Sequence, residues 1–516
     1  MGRNKEYRQR LKYQVASAMK KTLTSQLRVE LAETLGLSEA ESELLAHRLG
    51  AWLLRQPDVR SPNQIFIYGA PSSTAYARGK APSAGKRICI TPYDVSDLEL
   101  ELEFGLTPMQ LGRVLRMIEE AYAQDSLIDA KQVALLGNMT PTSLRNRLNT
   151  LISHGIWVPT RGMPRKMRAQ GGMFRSTWLL KTFFAGNDVK SARKLVAISR
   201  NQWRTIQDEF ASVARQVLTG AALSEARDEC IQWEVLARSL SAQQLNHFSE
   251  VAAGDQTGPG RSWEVLRNEL EAAYRFSPIR IRAVREILDE LISQFHLHRA
   301  DNVVIYWAVS ASEPAGKPLT DCTLVPVPLT LYAPEDQPTG ENADGNRLSE
   351  IKYGKILRYA TQAKVAGGYL NYADLSYLMG IHPEAVRRLV DAEANIIIPL
   401  RGNQCDIGRG TTHRRRIIEL FLQMYTETEI VSRTGHSYEA VENYIKEFAK
   451  VWVLYQRGMA APLIRKVTRR SMQLVNAYLE LAQAYDTPEY AFRFQRLEAI
   501  YAQEAQYAEK KRGNEW

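Results

Sequence analysis

One predicted helix, opened by Thr140 and Pro141, has the side chains best suited to chemistry in this sequence. Its apolar residues fall on one face. The opposite face has short polar and amide side chains flanked by arginines: Thr142, Arg145, Asn146, Arg147, Asn149 and Ser153. Asparagine can pair bidentately with adenine, and arginine with guanine or a phosphate. A polar face without carboxylates predicts a helix that enters the major groove of duplex DNA. The alternative is a core helix whose outer face is basic.

The positive charge of the chain is concentrated around this helix. The net charge is +10 over 516 residues, and no Asp or Glu lies between Asp129 and Asp188. The basic residues of this acid-free segment are Lys131, Arg145, Arg147, Arg161, Arg165, Lys166, Arg168, Arg175 and Lys181. A local positive field of this kind attracts phosphate backbones. We expect residues 159–168, which follow the helix, to form a basic wing or arm along the DNA backbone.

Short helices and turns must position these side chains. A helix at Ala130–Leu136 and a turn at residues 137–139 precede the polar helix, a pattern typical of a helix-turn-helix. Thr140 is a favourable N-cap residue, and Pro141 suits the first helical position. Two further helix pairs are predicted at residues 429–445 and 464–479. The earlier pair has Gly435 at its turn, and the later pair has a basic turn.

A related helix after His382 and Pro383 has a different outer face. It exposes Glu384, Arg388 and Asp391 in the predicted register. Two carboxylates facing a groove would repel phosphates, so we expect this helix to be a weaker DNA reader, suited to packing or dimerisation.

Four short segments recur in the same order about 240 residues apart, among them 156–162 and 396–402. We therefore expect a mainly α protein with small β pieces, built as two degenerate tandem copies. Each copy has a helical N-terminal part, a small β element and helix-turn-helix or winged-helix units. The expected parts are a helical and β part at 1–125, a strongly basic helix-turn-helix part at 126–251, their counterparts at 263–348 and 349–484, and a C-terminal helix at 485–516. The strands are expected at 64–69 with 88–91, and at 302–309 with 323–331. Pro326 and Pro328 predict that the last strand lies at a sheet edge.

Several functional classes are disfavoured. The four cysteines form no CxxC pair, and no segment approaches the roughly 18 apolar residues of a membrane span. We expect a soluble, cytoplasmic, nucleoid-associated protein with no membrane contact. No catalytic residue, cofactor or metal is expected. The one catalytic candidate, His296 with His298, has the spacing of a nuclease metal site, but a structural helix end is the favoured interpretation.

The second half also resembles a known family. The run from Asp406 to His413 (Asp-Ile-Gly-Arg-Gly-Thr-Thr-His), followed by the Thr-Gly-His-Ser and Arg-Arg-Ser helix pairs, is similar to the family catalogued as domain of unknown function 1670. The resemblance extends over about residues 266–481. It implies helix-turn-helix content and supplies no reaction. The first copy lacks the Asp-Ile-Gly motif.

These observations predict a sequence-specific DNA-binding protein, either a regulator or a DNA-targeting factor of a mobile element. Its expected partner is double-stranded DNA. Partner proteins of a nucleoprotein complex and a homodimer are further options. The alternatives for function are an interaction scaffold subunit and a plasmid or element replication initiator. The residues expected to contact DNA are Thr142, Arg145, Asn146, Arg147, Asn149, Arg161, Arg165, Lys166, Arg168, Arg175, Arg388, Arg401, Arg414, Arg415, Arg433, His436, Asn443, Lys446, Arg469 and Arg470.

Overall fold

The computed structural model describes most of the chain in two compact units. The described residues are 2–53, 60–71, 85–161, 172–217, 263–294, 299–314, 317–318, 321–336, 345–392, 398–404, 411–434 and 436–513. The first unit comprises Met1–Ala308, Leu324–Gln362 and Ala373–Val386. The second comprises Val309–Thr323, Ala363–Tyr372 and Arg387–Trp516.

The protein is mainly helical, as predicted. The elements of the first half are α1 (Gly2–Lys20), α2 (Leu23–Leu35), α3 (Glu39–Leu53), β1 (Ile65–Pro71), β2 (Lys86–Ile90), α4 (Val95–Phe104), α5 (Leu106–Ala123), β3 (Ser126–Leu127), α6 (Ala130–Leu136), α7 (Pro141–Ser153), α8 (Arg175–Phe184), α9 (Val189–Val196) and α10 (Arg200–Val217). Leucines of α2 and α3 recur at helical spacing, and their buried faces pack in one core with the first two helices of the second half.

The second half repeats part of this order and contains further helices. Its elements are α11 (Trp263–Ala272), α12 (Pro278–Gln294), β4 (Val303–Ser310), β5 (Leu324–Thr330), α13 (Gly345–Val365), β6 (Gly368–Tyr369), α14 (Tyr372–Met379), α15 (Pro383–Ala392), α16 (Arg401–Gln404), α17 (Thr411–Leu422), α18 (Glu427–Thr434), α19 (Tyr438–Gln456), α20 (Ala461–Thr468), α21 (Met472–Tyr485) and α22 (Ala491–Gly513). In the second unit, α17 to α22 pack around one apolar core that includes Phe448, Tyr478 and Leu497.

Both sheets are small and have the same plan. The strand orders are β2-β1-β3 and β5-β4-β6. β1 pairs antiparallel with β2 and with β3, and β4 pairs antiparallel with β6. β5 is an edge strand, as Pro326 and Pro328 predict, because each proline lacks a backbone donor.

The repeated order of elements agrees with two copies of one ancestral unit. Strands β1 to β3 correspond to β4, β5 and β6, and α5 to α7 correspond to α13 to α15, at a spacing of about 240 residues. Individual contacts repeat as well. Asn63 donates a hydrogen bond to the carbonyl of Tyr93, and Asn302 donates to that of Tyr332. Conserved local geometry of this kind is what a duplication leaves behind.

The copies exchange hydrogen bonds where their sheets begin, within the first unit. The backbone N–H of Phe66 donates to the carbonyl of Asp301 at 2.8 Å, and that of Ile305 donates to the carbonyl of Pro62 at 2.8 Å. Beside them, Arg60 donates to backbone carbonyls of residues 299–303, and Arg299 donates to those of Ser61 and Gln64. The two exchanges are reciprocal, because copy-related residues donate in one and accept in the other.

Two buried cations make a second reciprocal exchange in the first unit. Arg113 on α5 donates to the carbonyls of Tyr377 and Leu378, at the C-terminal end of α14. Lys355, its counterpart on α13, donates to the carbonyl of Leu135 at 3.1 Å, at the end of α6. Helix ends leave carbonyls without intrahelical partners, and positive charges stabilise them. Burial lowers the pKa of Lys355 to about 8.

In each copy a buried carboxylate pairs with arginine side chains of one long helix, α5 in the first copy and α13 in the second. Asp97 is fully buried, accepts two hydrogen bonds from Arg116 and lies 2.7 Å from Arg113 in an ion pair. Its counterpart Asp336 is 3% exposed and accepts two hydrogen bonds from Arg358. Buried charges remain stable only when they are paired in this way.

We expect Asp97→Ala to lower the free energy of unfolding by about 3–5 kcal/mol, because it leaves buried guanidinium groups without their counter-ion. Asp336→Ala should act in the same direction. Chemical denaturation followed by circular dichroism measures both. The control is Glu439→Ala, which removes an exposed carboxylate from α19. Equal stability of all three variants would contradict the assigned role of these pairs.

Candidate nucleic-acid interface

Helix α7 begins where its sequence predicts. The hydroxyl of Thr140 accepts a hydrogen bond from the backbone N–H of Ser143 at 3.1 Å, and Pro141 occupies the first helical position. Leu144, Leu148 and Leu151 are buried. The apolar face of α7 is therefore held in the first unit, and its orientation is set by packing rather than by propensity alone.

The opposite face of α7 is exposed and has no carboxylate. Thr142, Arg145, Asn146 and Asn149 are all exposed, and they recur at the three- and four-residue spacing that places side chains on one helix face. We call these four residues the α7 face. Amide, hydroxyl and guanidinium groups are the donors and acceptors that match base edges and phosphates.

Hydrogen bonds of the buried Asn138 hold the turn before α7. Asn138 adopts the left-handed conformation with φ of 51°, which asparagine tolerates better than most residues. Its side chain donates to the carbonyl of Met379 at 2.9 Å and accepts from the ammonium of Lys355 at 2.9 Å. The angle between α6 and α7 thus depends on contacts with the second copy.

Two arginines of the acid-free segment bind protein groups instead of facing solvent. Arg147 is half-buried and donates to the side chain of Gln110 and the carbonyl of Thr107, and burial lowers its pKa. Arg175 is 12% exposed and makes a bidentate pair with Glu119, at 2.7 and 2.8 Å. Both arginines stabilise the first unit, and neither belongs to the α7 face.

The predicted wing is described only at its start. Arg161 is exposed, and its backbone N–H donates to the carbonyl of Ile128. Arg165, Lys166 and Arg168 lie outside the described residues. Lys131 and Lys181 are exposed elsewhere in the acid-free segment.

The corresponding helix of the second copy, α15, has carboxylates on its outer face, as its sequence predicts. Glu384, Arg388 and Asp391 are exposed, and Asp391 lies 3.5 Å from Arg387 in an ion pair. Arg401 is 3% exposed and donates to the carbonyl of Pro314 and towards the sulfur of Cys322, so it is part of the interior of the second unit.

Other residues of the second unit were also expected to contact DNA. Some of them bind protein groups, and others are more exposed. Arg414 and Arg470 both pair with Glu447, and Lys446 pairs with Glu442 and Glu504. His436 is buried, and its ring nitrogens lie within hydrogen-bond distance of the carbonyls of Thr434 and Asn403. The more exposed residues are Arg415, Arg433, Asn443 and Arg469. Of these, Arg415 pairs with Glu480, and Arg433 lies over the ring of Tyr425.

Helices α20 and α21 form a second surface, which we call the α21 face. Arg469 occupies the turn with a left-handed φ of 55°, and the hydroxyl of Ser471 caps α21 by accepting from the N–H of Leu474. Gln473 and Asn476 are exposed on α21. The sequence prediction omitted these two amides, although their spacing from the cap resembles that of the α7 face.

No grouping of three or more His, Cys, Asp or Glu residues suited to a metal ion occurs within the described ranges. His296 and His298 lie outside those ranges. None of the helices in the described part of the chain is long and apolar enough to cross a membrane.

The comparisons with known proteins give one family. A family model described as "Protein of unknown function (DUF1670)" matches residues 43–169 and 270–481. The match confirms the resemblance of the second half and extends it into the first, so both copies contribute to it. No curated protein and no solved structure matches this chain.

The contrast between Arg175 and Arg145 can be tested by stability alone. We expect Arg175→Ala to lower the free energy of unfolding by about 1–3 kcal/mol, because charged hydrogen bonds to Glu119 are lost. Arg145→Ala, on the exposed α7 face, should change it by less than about 0.5 kcal/mol. Urea denaturation of both variants measures the difference. A larger loss for Arg145→Ala would show that the α7 face is structural.

Proposed function

We propose that this chain, which belongs to the family of proteins of unknown function DUF1670, is a duplex DNA-binding protein that reads sequence through the α7 face. The observation on which the proposal rests is an exposed, carboxylate-free helix face of Asn, Thr and Arg side chains. In this proposal α6 and α7 act as a helix-turn-helix, with α7 in the major groove.

The charges that remain exposed support this assignment. After Arg147 and Arg175 are set aside, Lys131, Arg145 and Arg161 are exposed in and around the helix pair. The segment between Asp129 and Asp188 contains no Asp or Glu, so its own sequence does not offset these charges. Phosphate contacts orient a protein on the duplex, and base contacts specify the sequence. The segment contains residues for both tasks.

The α21 face supports a second contact in the second unit. Arg465, Lys466 and Arg469 are exposed near the turn, beside the amides of Gln473 and Asn476. Two reading elements on one chain raise affinity through effective concentration, without any new contact. By contrast, α15 exposes two carboxylates and is assigned no groove contact.

The biological role that we propose is that of a regulator or a DNA-targeting factor of a mobile element, acting at the nucleoid in the cytoplasm. Such a protein needs no catalytic residue and no cofactor, because its work is recognition.

Selection of bound oligonucleotides from a random duplex pool tests sequence specificity. We expect the full chain to enrich a single motif. Iterated motifs would favour a replication initiator, and no enrichment would favour an interaction scaffold and contradict the proposal.

On the selected site, Asn146→Ala and Asn149→Ala should each weaken binding by about 1–3 kcal/mol, because each removes a potential bidentate base contact. On random duplex DNA the losses should be small. Fluorescence anisotropy measures both. Asn187→Ala, an exposed amide after α8, is the matched control and should bind like the wild type. Equal losses on both DNAs would show that α7 does not read bases.

The salt dependence of binding tests the phosphate contacts. Replacing Lys131, Arg145 and Arg161 by Ala should make the slope of log affinity against log salt less steep, by about 0.9 for each lost phosphate contact. The double variant Arg280→Ala with Arg282→Ala, on the exposed side of α12, should leave the slope unchanged. If the two sets of substitutions change the slope equally, the positive charge acts without a defined site.

A further inference from the structure

We propose that an open pocket in the first unit binds a phosphate of the DNA backbone. This inference rests on the DNA binding proposed above and adds a contact outside the α7 face. The pocket has a volume of about 530 Å³ and is lined by α1, by the end of α4 and by α9. Three exposed cations line it: Arg8 on α1, and Lys190 and Lys194 on α9. We call it the α9 pocket.

The three cations are accessible to a ligand and are not used in ion pairs. Among the residues that the structure describes, none of the three pairs with a carboxylate. The nearest carboxylate along the chain from α9, that of Asp188, caps the helix. It accepts from the backbone N–H of Lys190 at 3.0 Å and from the hydroxyl of Ser191 at 2.6 Å, and it does not line the pocket.

The two carboxylates in the lining already have partners. Glu103 accepts from the guanidinium of Arg193 at 2.9 Å and from the backbone N–H of Arg200 at 3.1 Å. Glu101 is 5% exposed and accepts from the hydroxyl of Tyr7. Burial raises the pKa of Glu101, so its negative charge is disfavoured. Paired carboxylates beside unpaired cations leave a positive field in the pocket, which attracts an anion.

The stability of α9 does not explain its two lysines. Lys190 lies in the first turn of the helix, where the helix dipole disfavours a positive charge. Lys194 lies one turn further on the same face, and like charges at this spacing destabilise a helix. A phosphate bound against both ammonium groups removes the repulsion between them.

The second copy contains the same helix pair without these two charges. α18 and α19 correspond to α9 and α10, because the capping residues Asp188 and Ser199 recur at the same shift along the chain as Thr426 and Ser437. In this register, exposed and uncharged residues of α18 occupy both lysine positions. They are Thr428 and Ser432. The helix pair therefore forms without the lysines.

The pocket lies at the end of α5 that α7 also contacts. Gly105, the residue before α5, lines the pocket. Arg147 of α7 donates to the carbonyl of Thr107, in the first turn of α5, at 3.2 Å. We therefore expect a duplex held by α7 to bring its backbone to the pocket.

The shape of the pocket favours a backbone phosphate over a free ligand. Sites for small molecules are mostly apolar and bury most of the ligand surface. The α9 pocket instead opens to solvent at its cations. An open, positively charged pocket suits a phosphate whose chain continues past it on both sides.

The first test replaces the lysines by the residues of the second copy. In the full chain, Lys190→Thr with Lys194→Ser should weaken binding about tenfold, because charged contacts to phosphate are lost. The loss should be equal on the selected site and on random duplex DNA, since phosphate contacts carry no sequence information. The slope of log affinity against log salt should become less steep by about 0.9 for each lost contact. Fluorescence anisotropy over a salt series measures all three.

The matched control is Arg280→Thr with Arg282→Ser, which removes two exposed cations from α12, away from the lining. It should bind like the wild type. Equal losses from both double variants would overturn the assignment of the pocket. Unchanged binding by the pocket variant would also overturn it, and recognition through α7 would stand. A wild-type chain that binds no duplex would overturn the proposed function, and this inference with it.

The α1 side of the pocket is tested separately. Arg8→Ala should weaken binding to both DNAs about fivefold. Lys12→Ala, one turn further along α1, removes an exposed cation that does not line the pocket and should have little effect. Equal losses would show that the charge of α1 acts without a defined site.

Inorganic phosphate distinguishes the other source of the same group. Millimolar phosphate should raise the melting temperature of the wild type no more than that of the Lys190→Thr, Lys194→Ser variant, because an isolated phosphate lacks the remaining DNA contacts. A larger rise for the wild type, with DNA binding unaffected by the two substitutions, would assign the pocket to a free phosphate compound and overturn the proposal.

Discussion

The first unit depends on buried cations that one copy supplies to the helix ends of the other. Arg113 reaches the end of α14, and Lys355 reaches the end of α6. A buried ammonium or guanidinium is costly unless acceptors surround it, and helix ends provide carbonyls that need donors. The carbonyls supply the acceptors that the cation needs, and the cation supplies the donors that the carbonyls need. The position of α6 is consequently fixed by the second copy, and with it the position of α7.

This arrangement explains how two degenerate copies could diverge in their exposed residues. The contacts that hold the copies together involve buried side chains and backbone carbonyls, so the outer faces of α7 and α15 are not constrained by them. One outer face is polar without carboxylates, and the other has Glu384 and Asp391. The proposed DNA contact therefore belongs to the first copy, supported structurally by the second.

Local patterns in the sequence predicted the helices and strands well. The Thr140 cap, the leucine spacing of α7 and the proline-bearing edge strand β5 all occur as expected, because each depends on interactions within a few residues. The partners of individual charges could not be predicted in this way. Arg175 pairs with Glu119, and Arg401 lies beside Cys322, both far away in sequence. Such pairs arise only from tertiary packing.

The same limit applies to His436. A histidine next to a predicted turn was expected at the surface, but it is buried between two backbone carbonyls.

The most direct measurement of the central claim is photo-crosslinking from the α7 face. A photoreactive p-benzoylphenylalanine placed at Asn149 of the full chain should crosslink to duplex DNA, and unlabelled duplex should compete for the product. The same residue placed at Glu30, exposed on α2, should give little product. Equal crosslinking from both positions, or none from Asn149 while the chain still binds DNA, would contradict recognition through α7.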